Sequence, residues 1–520
     1  MQKRLEGQLP IKIVRNTVAN YAGNVVTLVV GFLLTPFLIY SLGDAQYGAW
    51  VLVGSISSYF WMFDFGLGAS VVKFVSELRA RGERERLNCV VANSVVLLSA
   101  VGLAALAGSI LVAIAVDSLF RLPGEIVPAV RTMIYITGVS LALSFPFGVF
   151  GGVLRGYQRY DLVNAVGAVS VVSNAVLSFA VVKIGMGLEG LAGAGLITNL
   201  LLGVLRLVLA RQVDPRLALQ PSMVRLSTLR EITGFSMWVF VINIAVQIVY
   251  RAAPIIIASL LSVALVTPYA IASGLAQYAR RFVDPVLSVL LPAYTELSAV
   301  NDAERLRSLL VVGSKLVGAV AMPLVTGLVL LGRPFILAWV GPEYEESCSI
   351  LYVLAPPLLI SFLVATGDKL LWARGKVRVN SYVAVADSSL NLVLSVVLAI
   401  NLGVIGVALA SLVSVLLTNG FWLMPYICRE AGVPISSYLA EVGRPVLLPA
   451  IPSTAATLLA MWLFGAETYI HIAVLAGLCA ISYWVVFLAI SPKEERTRWA
   501  LVVRTAVAPS GGARRVEGVA

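Results

Sequence analysis

The chain has 520 residues, of which 59% are hydrophobic and 12% charged, and its formal net charge is +11. Soluble domains run at about 25% charged, so the composition excludes a water-soluble globule and points to a polytopic membrane protein. The positive excess falls in the short segments between apolar runs, which removes the need for a nucleic-acid partner.

About fourteen apolar runs follow one another, each long enough to cross a hydrocarbon core of about 30 Å. The first covers 17–41 and follows Lys3, Arg4, Lys12 and Arg15. Because it belongs to an internal repeat, it reads as retained and not as a cleaved leader. Asn16, Asn20 and Asn24 are spaced i, i+4, i+8 at its start and share one face. Asn20 and Asn24 either line a polar cavity or join neighbouring helices at ~0.6 kcal/mol each. The second run, 46–77, carries Asp64 near its middle, in MFDFGLG. Runs at 88–116, 126–153, 160–184 and 187–211 complete a first half. A basic stretch with Pro215 and Pro221, 212–231, reads as a linker.

The seventh run, 232–260, carries Asn243 and Arg251, and the eighth, 264–297, carries Arg280, Arg281 and Asp284 in YARRFVDP. Further runs at 306–332, 347–373, 378–400 (with Asp387) and 402–427 close a second half ending at 428. Two last runs, 444–465 and 468–490, lie outside the repeat, and the basic tail from 492 reads as disordered.

The halves repeat with an offset of 219. ERL at 85–87 returns at 304–306, Arg155-Gly156 returns as Arg374-Gly375, and Asn24 lands on Asn243. Later NAVLS at 174–178 faces NLVLS at 391–395, and GLEGLA at 187–192 faces GVIGVA at 403–408. Six spans per half is an even number, so both halves enter the membrane in one direction. They are parallel repeats about an axis along the membrane normal, a secondary-transporter architecture with its site between the halves. The expected fold is therefore all-α, with two six-helix lobes, 1–211 and 232–428, and two extra helices within 429–491. Arg and Lys crowd one set of loops, while the other set keeps Arg121, Arg131, Lys183 and Arg333. By the positive-inside rule both termini are cytoplasmic.

Several chemistries are absent. Cys89, Cys348, Cys428 and Cys479 show no metal-ligand spacing, and the one histidine, His471, reads as a surface residue, so no metal is expected. Gly375-Lys376 lacks the Ser or Thr and the upstream glycine of a phosphate-binding loop, so neither ATP nor another cofactor is expected. Loops too short to hold a soluble domain argue against an enzyme. Glycines within spans, such as Gly102, Gly108, Gly148, Gly152 and Gly193, read as packing positions. Prolines such as Pro146, Pro285, Pro292, Pro356 and Pro357 read as kinks.

Charge inside the bilayer is the sharpest signal, since it costs ~2.5 kcal/mol or more per residue and faces a bundle interior or a wet cavity. Arg251, Arg280 and Arg281 form an anion trap, arginine's planar fork being suited to phosphate. The competing reading is an internal ion pair of Arg280 or Arg281 with Asp284, with Asp387 taking another arginine. Asp64 falls on or beside Asp284 at an offset of 219–220, so each half carries a carboxylate at one point of its second helix. These carboxylates serve ion coupling or gating, or else helix-to-helix hydrogen bonds. Asn174 and Asn391 read as interhelical contacts.

LGDAQYGAW at 42–50, MFDFGLGASVVKFVSEL at 62–78 and LRGYQRYD at 154–161 resemble the polysaccharide-export, or O-antigen (Wzx-type), flippases of the multidrug/oligosaccharidyl-lipid/polysaccharide (MOP) superfamily. The resemblance covers about the first 430 residues. It implies a MATE-like V of two lobes around a central cavity. The implied cargo is an oligosaccharide on undecaprenyl pyrophosphate, flipped across the cytoplasmic membrane by alternating access for polysaccharide biosynthesis. Arg251, Arg280 and Arg281 then take the pyrophosphate, and Asn24 and Asn243 the sugar hydroxyls. Membrane lipids, a monovalent cation (H+ or Na+) acting at Asp64, Asp284 or Asp387, and other polysaccharide-assembly membrane proteins are the expected partners. The alternative is an ion-coupled multidrug or metabolite antiporter using Asp64 and Asp284. Helix 1 lacks the acidic residue that often matters in the multidrug branch, and three arginines make a poor cavity for cations.

Overall fold

A computed structural model of the chain describes residues 2–62, 67–225, 228–229, 251–300 and 302–492. Asp64, Asn243 and the tail beyond 492 lie outside the described residues, and of Asn24 only the backbone is described. Among the described residues every regular element is helical. The first half holds α1 (Gln2–Trp61), α2 (Leu67–Arg81), α3 (Arg84–Ile114), α4 (Val127–Gly156), α5 (Tyr160–Lys183) and α6 (Gly187–Val213). Then come α7 (Arg251–Leu260), α8 (Val266–Ala299), α9 (Ala303–Val340), α10 (Glu345–Leu354) and α11 (Pro356–Ala373). Last are α12 (Val377–Val415), α13 (Met424–Glu430), α14 (Ala450–Phe464) and α15 (Tyr469–Ile490).

Among the described residues ten stretches are long and apolar enough to cross a membrane. Two of them hold two spans each, because Gly43 (φ 73°) and Gly403 (φ 64°) break the helix in a left-handed conformation that glycine adopts without a Cβ clash. With α8, and with α7 as the described part of the run 232–260, the order of elements is consistent with about fourteen spans. α8 is 34 residues long, and Arg280, Arg281 and Asp284 interrupt its apolar run. α9, expected over 306–332, extends to Val340, because a helix backbone need not stop where polarity returns at Arg333. Pro356 and Pro357, expected as kinks, instead open α11 just after α10 ends at Leu354. A missing N–H is harmless in the first helical turn.

Alternate turns define two ends of the bundle. At the basic end four helices stop in the same way, with Gly82, Gln158, Gly375 and Gly432 in left-handed conformations. The next residue's N–H bonds back five positions: Glu83 to Leu78, Arg159 to Leu154, Lys376 to Leu371 and Val433 to Cys428, at 2.8–3.0 Å. This Schellman closure satisfies carbonyls that a helix end would leave open. It also corrects the repeat. Gln158 and Gly375 occupy equivalent turn positions, so Arg159 pairs with Lys376 at an offset of 217, and Arg155 does not pair with Arg374. The ERL match holds at 219, since Glu83 precedes α3 and Asp302 precedes α9.

One apolar core draws its buried residues from 67–217 and a second from 276–446. A third draws on both halves, joining Leu38 to Ile56 with Ile256 to Leu275 and Ile336 to Leu354. α14 and α15 pack through Ala450, Tyr483 and Ile472 onto Ala319 and Leu331 of α9. Gly102 and Gly152 stand where an added Cβ would meet α4 and α2 atoms closer than 3.0 Å, so they are packing glycines, but Gly148 and Gly193 face open space.

The segment after α6 is strapped to the first half. Buried Asn93 of α3 donates to the Met223 carbonyl (2.9 Å) and accepts from the Arg225 N–H (2.9 Å). Asp214 pairs with Arg84 at 3.4 Å and accepts from the Tyr157 phenol at 2.5 Å. Burial and then the neighbouring carboxylate push that phenol up to about 12, so it stays protonated and donating at neutral pH.

Candidate functional site

A cavity of about 390 Å³ opens among α1, α7, α8, α9, α11 and α12. Among the described residues its charge comes from three: Arg251 on α7, and Arg280 and Arg281 on α8. The three arginines singled out from the sequence thus line one space, and among the described residues no carboxylate lines it. They are adjacent because α7 and α8 are consecutive antiparallel elements joined by the short turn 261–265.

The two carboxylates proposed as partners sit outside that lining. Asp284, a turn beyond Arg280, is exposed and lies near Arg280, Lys369 and Arg281. Asp387 is buried on α12, accepts a hydrogen bond from Thr418 at 2.9 Å and lies near Arg280. The Arg280 guanidinium also stands over the Phe362 ring, 5.9 Å from its centroid. Arg280 therefore has balancing neighbours, whereas Arg251 and Arg281 make no ion pair within 4 Å among the described residues. Arg251 faces Tyr59, and Arg281 faces Tyr278 and Asp284. The ion-pair reading and the anion-trap reading each describe part of the cluster: one arginine is largely balanced and two present charge to the cavity.

The remaining lining is neutral and mixes apolar with polar side chains, and the sequence does not single out most of the polar ones. Tyr269, Ser273 and Gln277 come from α8, Ser361 from α11, and Asn391 and Ser411 from α12. Spacing could have found part of it, because Ser273, Gln277 and Arg281 lie four residues apart on one face of α8. Asn391, read as an interhelical contact, has both roles. Its amide donates to Ser411 (3.1 Å) and Ser414 (3.3 Å), and it also lines the cavity. The first half contributes Thr35, Tyr47, Val51 and Ser55 of α1. Asp64, Asn24 and Asn243 gain no placement in the cavity, for they or their side chains lie outside the described residues.

At the end of the bundle opposite the basic turns, the two halves touch directly. The Tyr344 hydroxyl donates to the Asp44 carboxylate at 2.5 Å, and the Thr267 hydroxyl donates to the Asp44 carbonyl at 2.8 Å. The Arg121 N–H donates to the Ala258 carbonyl at 2.8 Å, and the Trp339 indole donates to the Phe32 carbonyl at 2.9 Å while stacking on the Phe32 ring. Gly48 lies against the Val263 carbonyl so closely that a Cβ would overlap it.

A second, apolar cavity of about 460 Å³ runs between α8, α9 and α15, past Phe282, Leu328, Phe335 and Trp484. Tyr278 lines both cavities. Among the described residues no group of three His, Cys, Asp or Glu could hold a metal ion.

A family described as "Polysaccharide biosynthesis protein" matches residues 42–349, more than half of the chain. The membrane protein EpsK of Bacillus subtilis (strain 168), itself called uncharacterized, is 25% identical over 450 residues, covering 84% of this chain and 87% of its own. A lipid II flippase, MurJ, in an inward closed conformation superposes with a TM-score of 0.69 at 15% identity, over 92% of this chain and 99% of its own. A multidrug resistance MATE family transporter of the MOP superfamily, inward-facing, superposes with a TM-score of 0.63 at 15% identity, over 79% and 98%. These likenesses establish the fold.

Proposed function

We propose that this chain, which belongs to the polysaccharide biosynthesis protein family, is a flippase that carries a polyprenyl pyrophosphate-linked oligosaccharide from one leaflet to the other. The observation that supports this most is the convergence of Arg251, Arg280 and Arg281 on one cavity whose lining, among the described residues, holds no carboxylate. Inside a membrane such an excess of positive charge is costly without an anion, and a pyrophosphate supplies two or more negative charges with oxygens spaced for guanidinium forks. The same lining argues against an antiporter of organic cations.

In this reading residues 1–211 and 232–428 form two six-helix lobes that rock about the cavity, 212–231 links them, and the helices within 429–491 are an appendage. The basic end faces the cytoplasm by the positive-inside rule. The apolar cavity beside α15 takes the first part of the prenyl chain, with Tyr278 at the junction, while the rest stays in lipid. A coupling cation, H+ or Na+, would act at Asp284 or Asp387, which flank the arginines without lining the cavity.

The test is translocation by purified protein in liposomes loaded with undecaprenyl pyrophosphate-linked oligosaccharide, read by a lectin confined to one side. Wild-type protein is expected to expose the sugar, and the triple Arg251→Gln, Arg280→Gln, Arg281→Gln variant to insert normally and expose none. Equal exposure by both proteins would remove the arginines from the mechanism and this reading with them.

A further inference from the structure

The polar lining of the cavity is graded along α8. This helix runs from the closed end at Val266 to the basic end at Ala299. At about 1.5 Å per residue, Gln277 lies ~6 Å and Ser273 ~12 Å from Arg281 along the axis, both on the closed side. Every cationic residue on α8 lies on the basic side of Gln277, and the α8 side chains lining the cavity beyond it are neutral, while Arg251 of α7 stands at about the depth of Gln277.

Two of these neutral groups are arranged to receive hydrogen bonds. The Ser273 hydroxyl donates to the Ala270 carbonyl (3.4 Å) and the Ser361 hydroxyl to the Pro357 carbonyl (3.1 Å), so each spends its proton on its own helix and keeps lone pairs for a ligand. Ser411 is the reverse: it accepts from the Asn391 amide at 3.1 Å, which leaves its own hydroxyl proton to donate. Gln277 differs. Its amide lines the cavity, carries both a donor and an acceptor, and makes no hydrogen bond among the described residues. A half-buried amide left open between two arginines and a prearranged set of hydroxyl groups has the chemistry of a carbohydrate contact, since a sugar offers donors and acceptors without charge.

We propose that Gln277 is a carbohydrate-reading residue that contacts the sugar next to the pyrophosphate, and that the Ser273, Ser361 and Asn391–Ser411 groups receive the sugar that follows. The cargo then lies sugar-first toward the closed end, with its phosphates on the arginines. This rests on the flippase reading and adds to it a subsite and a direction.

The experiment measures binding by native mass spectrometry to the full-length protein in nanodiscs. The probes are undecaprenyl pyrophosphate and undecaprenyl pyrophosphate bearing one N-acetylglucosamine, and the readout is the ratio of their affinities. Wild-type protein is expected to favour the glycosylated lipid by about tenfold, the yield of one or two hydrogen bonds. Gln277→Leu is expected to bring the ratio close to one, and Ser288→Ala, whose exposed hydroxyl bonds to its own helix and lies outside the cavity lining, to leave it near the wild-type value. Arg281→Gln should weaken both lipids together and preserve the ratio. A wild-type ratio of one, or an unchanged ratio in Gln277→Leu, overturns the subsite while leaving the flippase reading standing. Failure of wild-type protein to bind either lipid overturns both.

Discussion

Replacing Gly48 with alanine separates the closing of the bundle from its folding. Two effects of opposite sign meet at this residue. In a helix interior alanine is favoured over glycine by about 1 kcal/mol, so the exchange should stabilise α1 taken alone. Against this, the new Cβ would overlap the Val263 carbonyl and come within 3.3 Å of the Thr267 hydroxyl oxygen. The first obstacle is backbone, which cannot swing aside as a side chain does, and overpacking of this kind typically costs about 1–3 kcal/mol. In the rocking proposed above, the helix gain is present whether or not the halves touch, so it cancels in the equilibrium between arrangements. The clash exists only where they touch. The population should therefore shift toward the arrangement with this end open by about 5- to 150-fold. Double electron–electron resonance between labels at Ser118 and Glu346, with Cys89, Cys348, Cys428 and Cys479 replaced, reads that shift as a growing long-distance component. An unchanged distance distribution together with a lowered melting temperature would refute the reasoning, since it would mean that Gly48 and Val263 stay together in every arrangement.

Three further outcomes follow from local geometry. Tyr344→Phe removes the 2.5 Å bond to Asp44 at the same contact and should shift the same distances in the same direction by less, about three- to tenfold, for a net loss of about 0.5–1.5 kcal/mol. Asn93→Leu leaves the Met223 carbonyl and the Arg225 N–H unpaired at a cost of about 1–3 kcal/mol, and limited trypsin digestion should cut after Arg216 or Arg225 about 5- to 150-fold faster. Gln158→Gly relieves a left-handed residue (φ 59°) at a turn whose counterpart already uses Gly375. It should raise the melting temperature slightly, by an amount matching ~1 kcal/mol, and a fall would mean that the Gln158 side chain carries an interaction worth more than the strain.

The number and order of the helices were legible because apolar length is a strong signal in a membrane protein, and the cationic cluster was legible because charge there is rare. What escaped was whatever depends on partners distant in sequence. Asn391 looked like Asn174, yet only the surroundings of Asn391, with Ser411, Ser414 and an open cavity, distinguish the two. The repeat was read correctly at ERL, where two helices start alike, but Arg155-Gly156 was matched to Arg374-Gly375 by letters. The turn itself aligns Gln158 with Gly375, because what the fold preserves there is a left-handed residue followed by a bond five positions back. Asp284 was singled out for its depth in the membrane, and depth does not say which way a side chain faces.

The repeat also explains why the cavity is charged on one side. At the offset of 219, three pairs of lining residues coincide: Thr35 with Pro254, Val51 with Ala270, and Ser55 with Gly274. The duplicated frame therefore brings equivalent backbone positions of α1, α7 and α8 to one space. At the same offset Arg251 faces Phe32, Arg280 faces Trp61, and Arg281 faces Met62. Each of the three cavity arginines has an apolar counterpart in the first half. One of these, Phe32, is already committed to the contact between the halves through its ring and its carbonyl. A symmetric pair of cationic faces would need twice the counter-charge and would hold a short anionic headgroup equally well in either orientation. In the flippase reading proposed above, confining the arginines to one half would fix where the phosphates lie and leave the other half free to make the apolar contact that rocking would break and re-form.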